Sequence, residues 1–122
     1  MVLAALSALA DDLRLRIISL VADKELSVGE IHSTLGISQP TASKHLGVLR
    51  RAGLVMARRQ GLWVYYRAAT PEDTGVADIL AAVTSALLGT DRPMADRAKL
   101  ERRSPTVVKP QSWHGTDPEF LD

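Results

Sequence analysis

Three residues, Gly36-Ile37-Ser38, separate a helix stop from the next helix start, and that spacing constrains the chain more than any other feature. Upstream, Ser27-Val28-Gly29-Glu30 has Ser followed three residues later by Glu, the signature of a capping box, so a short helix is predicted to begin there. Gly36 is a natural stop for it. Ser38 is then a good N-cap, Pro40 is tolerated in a first helical turn, and the second helix should run to about Ala52, ahead of Gly53. Two helices joined by so short a Gly-containing turn predict a helix-turn-helix. In its second helix Ala42, Leu46 and Leu49 share one face and are read as core, while Thr41, Lys44, Gly47 and Arg51 share an outward one.

The residues after Gly53 extend the motif. Leu54 to Arg59 and Leu62 to Ala68 are β-prone runs, the second carrying Trp63, Val64, Tyr65 and Tyr66, and Gln60-Gly61 between them suits a tight hairpin. A hairpin directly after a helix-turn-helix is a winged arrangement. Ahead of the motif, Val2 to Ala10 is helix-prone. Asp11 is positioned to cap a second helix over roughly Asp12 to Asp23, with Leu13, Ile17, Leu20 and Val21 as its apolar stripe. After Thr70-Pro71 a last helix is expected from about Val76 to Leu88. Its stripe, Val76, Ile79, Leu80, Val83 and Leu87, is too apolar for a lone peripheral helix. With Leu3 and Leu6 of the first helix it suits a dimer seam. The fold class is therefore mainly α with a β-hairpin wing, dimeric through the first and last helices. Residues 1–90 are expected to form the winged helix-turn-helix and dimerisation domain, and 91–122 a charged helical extension after Pro93 and a mobile tail from Ser104.

Charge points to the partner. No Asp or Glu occurs from Ile31 through Pro71, although the whole chain is nearly neutral at +1. Lys44, Arg50, Arg51, Arg58, Arg59 and Arg67 all fall in that window. Duplex DNA attracts such a stretch because phosphate contacts release condensed counterions, and a helix fits its major groove. Gln39, Thr41, Ser43 and Lys44 are residue types that bond to base edges at the end of the helix that meets them, and Ser38 at the cap is counted among the DNA-binding residues. Arg50, Arg51, Arg58, Arg59, Gln60 and Arg67 are assigned to the backbone, which sets position without reading sequence. His45 is included, with packing behind the helix as the equal alternative. Trp63, Tyr65 and Tyr66 are expected to be core more than base-stacking. The competing description is a winged module that binds a protein, which would not require a carboxylate-free cationic stretch. Enzyme chemistry has no support: there is no cysteine, no phosphate-cradling Gly loop, and the three histidines are widely spaced. The start, MVLAALSALADDL, is too short to span a bilayer and lacks a basic leader, so a cytoplasmic protein without membrane association is expected.

The segments ALADDLRLRIISLV, ELSVGEI, GISQPTASKHLGVLRRAGLV and RRQGLWVYYR resemble, in order and over about residues 3 to 70, the ArsR/SmtB family of winged-helix bacterial regulators. The resemblance implies a homodimer on a palindromic operator, acting as a repressor or activator, and an effector that changes DNA affinity. This chain departs from the family where metals are sensed. Ser27-Val28-Gly29 stands where arsenic-responsive members carry Cys-Val-Cys, and VADILAAVTSALLG offers Asp78 but no histidine for a zinc site. Thiophilic metals are excluded, and what remains are Glu30, His32, Asp78 and His114, a donor set that suits nickel or zinc. An effector protein or a small organic ligand is the other expectation.

Overall fold

Asp11 breaks the Ala/Leu-rich start of the chain into two helices, α1 (Val2–Leu9) and α2 (Asp12–Val21). Its backbone is extended and its carboxylate accepts the N–H of Arg14 at 3.1 Å, so the cap starts α2 at a fixed point. The computed structural model describes residues 1–103. The tail expected from Ser104 onward, with His114, lies outside them. After α2 come β1 (Leu26–Ser27), α3 (Val28–Leu35), α4 (Gln39–Arg51), β2 (Val55–Gln60), β3 (Trp63–Ala68), α5 (Thr74–Leu87) and α6 (Asp91–Arg103).

The helix-turn-helix follows its sequence signals closely. Ser27 Oγ accepts from the N–H of Glu30 at 3.1 Å, and a Glu30 carboxylate oxygen accepts the N–H of Ser27 at 3.0 Å, completing the capping box. Gly36 closes α3 at φ 70°, a left-handed conformation that a side chain would strain. Ile37 then donates its N–H back to His32 O, and Ser38 caps α4.

The wing departs from expectation in two ways. Gln60 pairs with Trp63, so the two-residue connection is Gly61-Leu62, one residue later than the expected Gln60-Gly61. Gly61 has φ 61° and no non-glycine residue among those described has positive φ. That combination matches a hairpin turn needing left-handed backbone only at its first central position, which is where glycine belongs. The sheet also has a third strand: Leu26 and Ser27 pair antiparallel with Tyr66 and Tyr65, giving the order β1-β3-β2. Two residues are too short to carry an alternating pattern, and the edge of β3 recruits them.

One core joins every helix. Ile17 through Val21 of α2 are all buried, making α2 the central helix. Around it lie Ala5, Ala8 and Leu9 of α1, Ile31 and Leu35 of α3, Leu46 and Leu49 of α4, and Leu54 and Val55 at the entry to the wing. The stripe on α5 is divided. Val76, Leu80 and Leu87 are buried in this core, whereas Ile79 and Val83 are only half-buried at its edge. Assigning the whole stripe to a dimer seam is therefore corrected: most of it packs within the chain. Helix α6 packs on the core. Leu100 is 1% exposed in the core, and Arg16 of α2 grips Asp96 with both Nε (2.8 Å) and Nη2 (3.0 Å). The boundary expected at residue 91 thus divides helices that pack together.

Candidate nucleic-acid interface

Helix α4 presents its polar residues as its 3.6-residue period requires. Ala42, His45, Leu46 and Leu49 are buried, and Gln39, Ser43, Lys44 and Arg51 are exposed. Thr41, Gly47 and Arg50 are intermediate. No acidic residue occupies the first turn. The exposed side therefore combines hydrogen-bonding side chains, cations and the positive end of the helix dipole. At its start, Ser38 Oγ accepts the Thr41 N–H at 3.2 Å and donates to Thr41 Oγ1 at 2.8 Å. Ser38 thus holds the helix start, and Thr41, already accepting, keeps its own hydroxyl proton for a ligand. Gly47 leaves room for Arg51, whose guanidinium lies back over it: a Cβ there would stand 3.3 Å from Nη1.

His45 does not belong to this face. It is 9% exposed, and its Nδ1 lies 3.2 Å from Nη1 of Arg14. A guanidinium only donates, so Nδ1 accepts and carries no proton in this contact. Arg14 also donates to Ala8 O and lies beside Asp11. One arginine thereby joins the end of α1, the cap of α2 and the back of α4. Burial pushes the Asp11 carboxyl up, but the backbone N–H groups of Arg14 and Leu13 and the Arg14 charge act against it, and the group lies below its usual value. Of the two alternatives expected for His45, its burial fits packing behind the helix and not a place on the exposed face. Its signal was legible in the sequence, since residue 45 lies one position before Leu46 and four before Leu49 on the buried side.

The wing arginines separate in the same way. Arg59 and Gln60 are exposed near the tip, beside Leu62 at 98% and Trp63 at 60% exposure. The expectation that Trp63 is core is therefore corrected, whereas Tyr66 packs on the core and burial raises its phenol pKa. Arg58 is turned inward. Its Nη2 donates to Glu25 Oε1 at 2.9 Å and its Nε to Oε2 at 3.3 Å, and its guanidinium stacks 5.1 Å from the Tyr65 ring centre. The expected phosphate contact from Arg58 is corrected accordingly. Glu25 lies outside the carboxylate-free window, so a scan along the chain could not pair the two. Arg67 is half-buried, and burial lowers its guanidinium pKa against the opposing pull of Glu25.

Three of the expected metal donors, Glu30, His32 and Asp78, lie within the described residues. A Glu30 oxygen is engaged in the capping box, His32 Nδ1 faces Ile37 O at 3.1 Å, and Asp78 is exposed on α5. Among the described residues no three His, Cys, Asp or Glu side chains are grouped as metal ligands. Nor is any helix among them long and apolar enough to cross a membrane.

With that geometry in view, the likenesses to known proteins are informative. Residues 9–58 match a family described as a helix-turn-helix domain. The arsenic resistance transcriptional regulator ArsR1 of Pseudomonas putida is 53% identical over 60 residues, spanning 48% of this chain and 47% of that protein. The chain thus spans about half the length of that relative. The transcriptional activator HlyU of Vibrio cholerae is 41% identical over 75 residues, 62% of this chain and 69% of HlyU. Among solved structures, a homodimeric winged helix-turn-helix DNA-binding domain from Mycobacterium bovis, described as a possible ArsR-family regulator, superposes with TM-score 0.60 at 41% identity. The match covers 70% of this chain and 76% of that one.

Proposed function

The chain belongs to the ArsR-type winged helix-turn-helix transcriptional regulators, and from that premise we propose that it binds a palindromic operator as a homodimer, with α4 in the major groove and the wing on the flanking backbone. One observation carries the reading: the exposed side of α4 bears Gln39, Ser43 and Lys44 with no carboxylate in its first turn. Two-fold symmetry places the paired helices about one DNA turn apart, which is why the operator is read as a palindrome. In this assignment Gln39, Thr41, Ser43 and Lys44 meet base edges, while Arg50, Arg51 and Arg59 meet the backbone. Ser38 contributes by capping.

The effector we propose is not a thiophilic metal, since this chain offers no thiolate. Nickel or zinc through Glu30, His32 and Asp78 has less support than a partner protein or a small organic ligand, because Glu30 already closes the α3 cap. Operator release in the presence of arsenite is not expected.

The test begins with operators selected from random duplexes. Gln39→Ala should cost about 1–3 kcal/mol on the selected site and much less on random DNA. Equal losses on both would reassign Gln39 from reading to positioning. Isothermal titration with zinc and nickel addresses the effector, and tight binding coupled to operator release would overturn the non-metal reading.

A further inference from the structure

Arg58 lies in the wing, yet its charge is turned away from the surface the wing would offer to DNA. Its side chain is 13% exposed and that of Glu25 is 5%. The two carboxylate oxygens meet two arms of the guanidinium fork, the bidentate geometry that gives such a pair direction as well as energy. Gln60 Oε1 accepts a further N–H at 3.1 Å. The sheet register explains the convergence. Arg58 is opposite Tyr65 across β2–β3, and Tyr65 is opposite Ser27 across β1–β3, so Glu25, next to β1, reaches a guanidinium lying over the Tyr65 ring. The wing is thereby tied to the strand that leads into α3.

We propose that Glu25 is a positioning residue for DNA binding: its buried carboxylate docks the wing against β1 and withholds the charge of Arg58 from the phosphate backbone. A guanidinium is never neutral in a protein, so if Glu25 lost its charge, Arg58 would be a part-buried cation deprived of the carboxylate that now faces it. The anion available beside a bound wing is phosphate. Glu25 thus limits sequence-independent binding, leaving the residues of α4 a larger share of the affinity.

The inference rests on the DNA-binding reading, and salt dependence separates the two. The probe is the full chain with a fluorescent duplex of random sequence, its affinity measured by anisotropy over a salt series. Arg51→Gln, at an exposed position of α4 assigned to the backbone, should make the log–log slope shallower and calibrates the assay. Glu25→Gln should steepen the slope by about one unit per subunit, because Arg58 is released to a phosphate. Glu25→Met combined with Arg58→Met removes the pair whole, a change cores often tolerate, and should keep the wild-type slope. The proposal is overturned if that double variant loses about one unit of slope per subunit, since Arg58 would then be on the DNA already. It is also overturned if folded Glu25→Gln, checked by circular dichroism, keeps the wild-type slope. If Glu25→Gln fails to fold, the double variant alone decides. A wild-type chain that binds no duplex overturns the DNA-binding reading and this inference together, and Arg51→Gln would then be silent as well.

Discussion

Asp11 caps α2 with one carboxylate oxygen, and although burial pushes its pKa up, the N–H and the charge of Arg14 act against that and the pKa lies below the ordinary value. A carboxylate with a lowered folded pKa favours the native state when ionised. Its contribution is complete above the unfolded value, about 3.9, and fades as pH falls through the lower folded one. Asp11→Ala should therefore cost about 1 kcal/mol at neutral pH through the lost cap. Asp11→Asn keeps an oxygen acceptor, so it should retain most of that stability while flattening the acid limb below about pH 4. Urea unfolding of the variants at neutral and acid pH checks both. An acid limb in Asp11→Asn as steep as wild type would assign the acid sensitivity to other carboxylates. His45 teaches the complementary lesson at this scale. The helical spacing of residue 45 already places it on the buried side of α4, but its partner there, Arg14, is one that only the folded chain brings near.

At the scale of elements, α6 is the most informative. Its composition, DRPMADRAKLERR, reads as a solvated helix with one apolar residue in the right place. The structure adds two fixings. Asp96, 4% exposed, takes both arms of Arg16, whose own pKa that bond raises, and Arg97 reaches Ser19 Oγ and Leu88 O. Leaving one partner of a buried ion pair without its counterion is strongly destabilising, so Asp96→Ala should cost roughly 3 kcal/mol. Leu100→Ala should cost about 3 kcal/mol through the cavity it leaves in the core. Denaturant midpoints measured on the full chain decide. Losses within about 0.5 kcal/mol of zero would return α6 to the role of an ornament on the winged domain.

At the scale of the whole molecule, the apolar surface that the fold leaves open is smaller than the stripe on α5 suggests. Leu3 is 79% and Leu6 49% exposed on α1, which packs beside α5 with its half-buried Ile79 and Val83. Within the proposed dimer those residues form the seam. Leu3→Asp with Leu6→Asp should give folded monomers with far weaker operator binding, read by sedimentation and anisotropy. Leu80→Asp should instead unfold the chain, because Leu80 is 5% exposed within its own core and a carboxylate there has no partner offered. If the Leu3/Leu6 variant remained dimeric, the seam would lie elsewhere.

Local chemistry determined most of this protein from its sequence. The capping box at Ser27, the left-handed Gly36, the Ser38 cap and the alternation of buried and exposed residues on α4 depend on residues within one or two turns of each other. Such signals can be read along the chain, and so could the helix-turn-helix, the hairpin and the exposed polar face of α4. What the tertiary structure decided were the pairings between residues distant in sequence. Glu25 meets Arg58, Arg14 meets His45, and Arg16 meets Asp96, each across a separation that no periodicity encodes. A count of charges along a window treats every cation as available, but a guanidinium goes where a carboxylate or a ring accepts it at low dielectric, and that depends on which elements pack together. The same reason divided the stripe on α5. Its period identified an apolar face, and only the packing of α1 and α2 against it determined how much of that face the chain buries by itself.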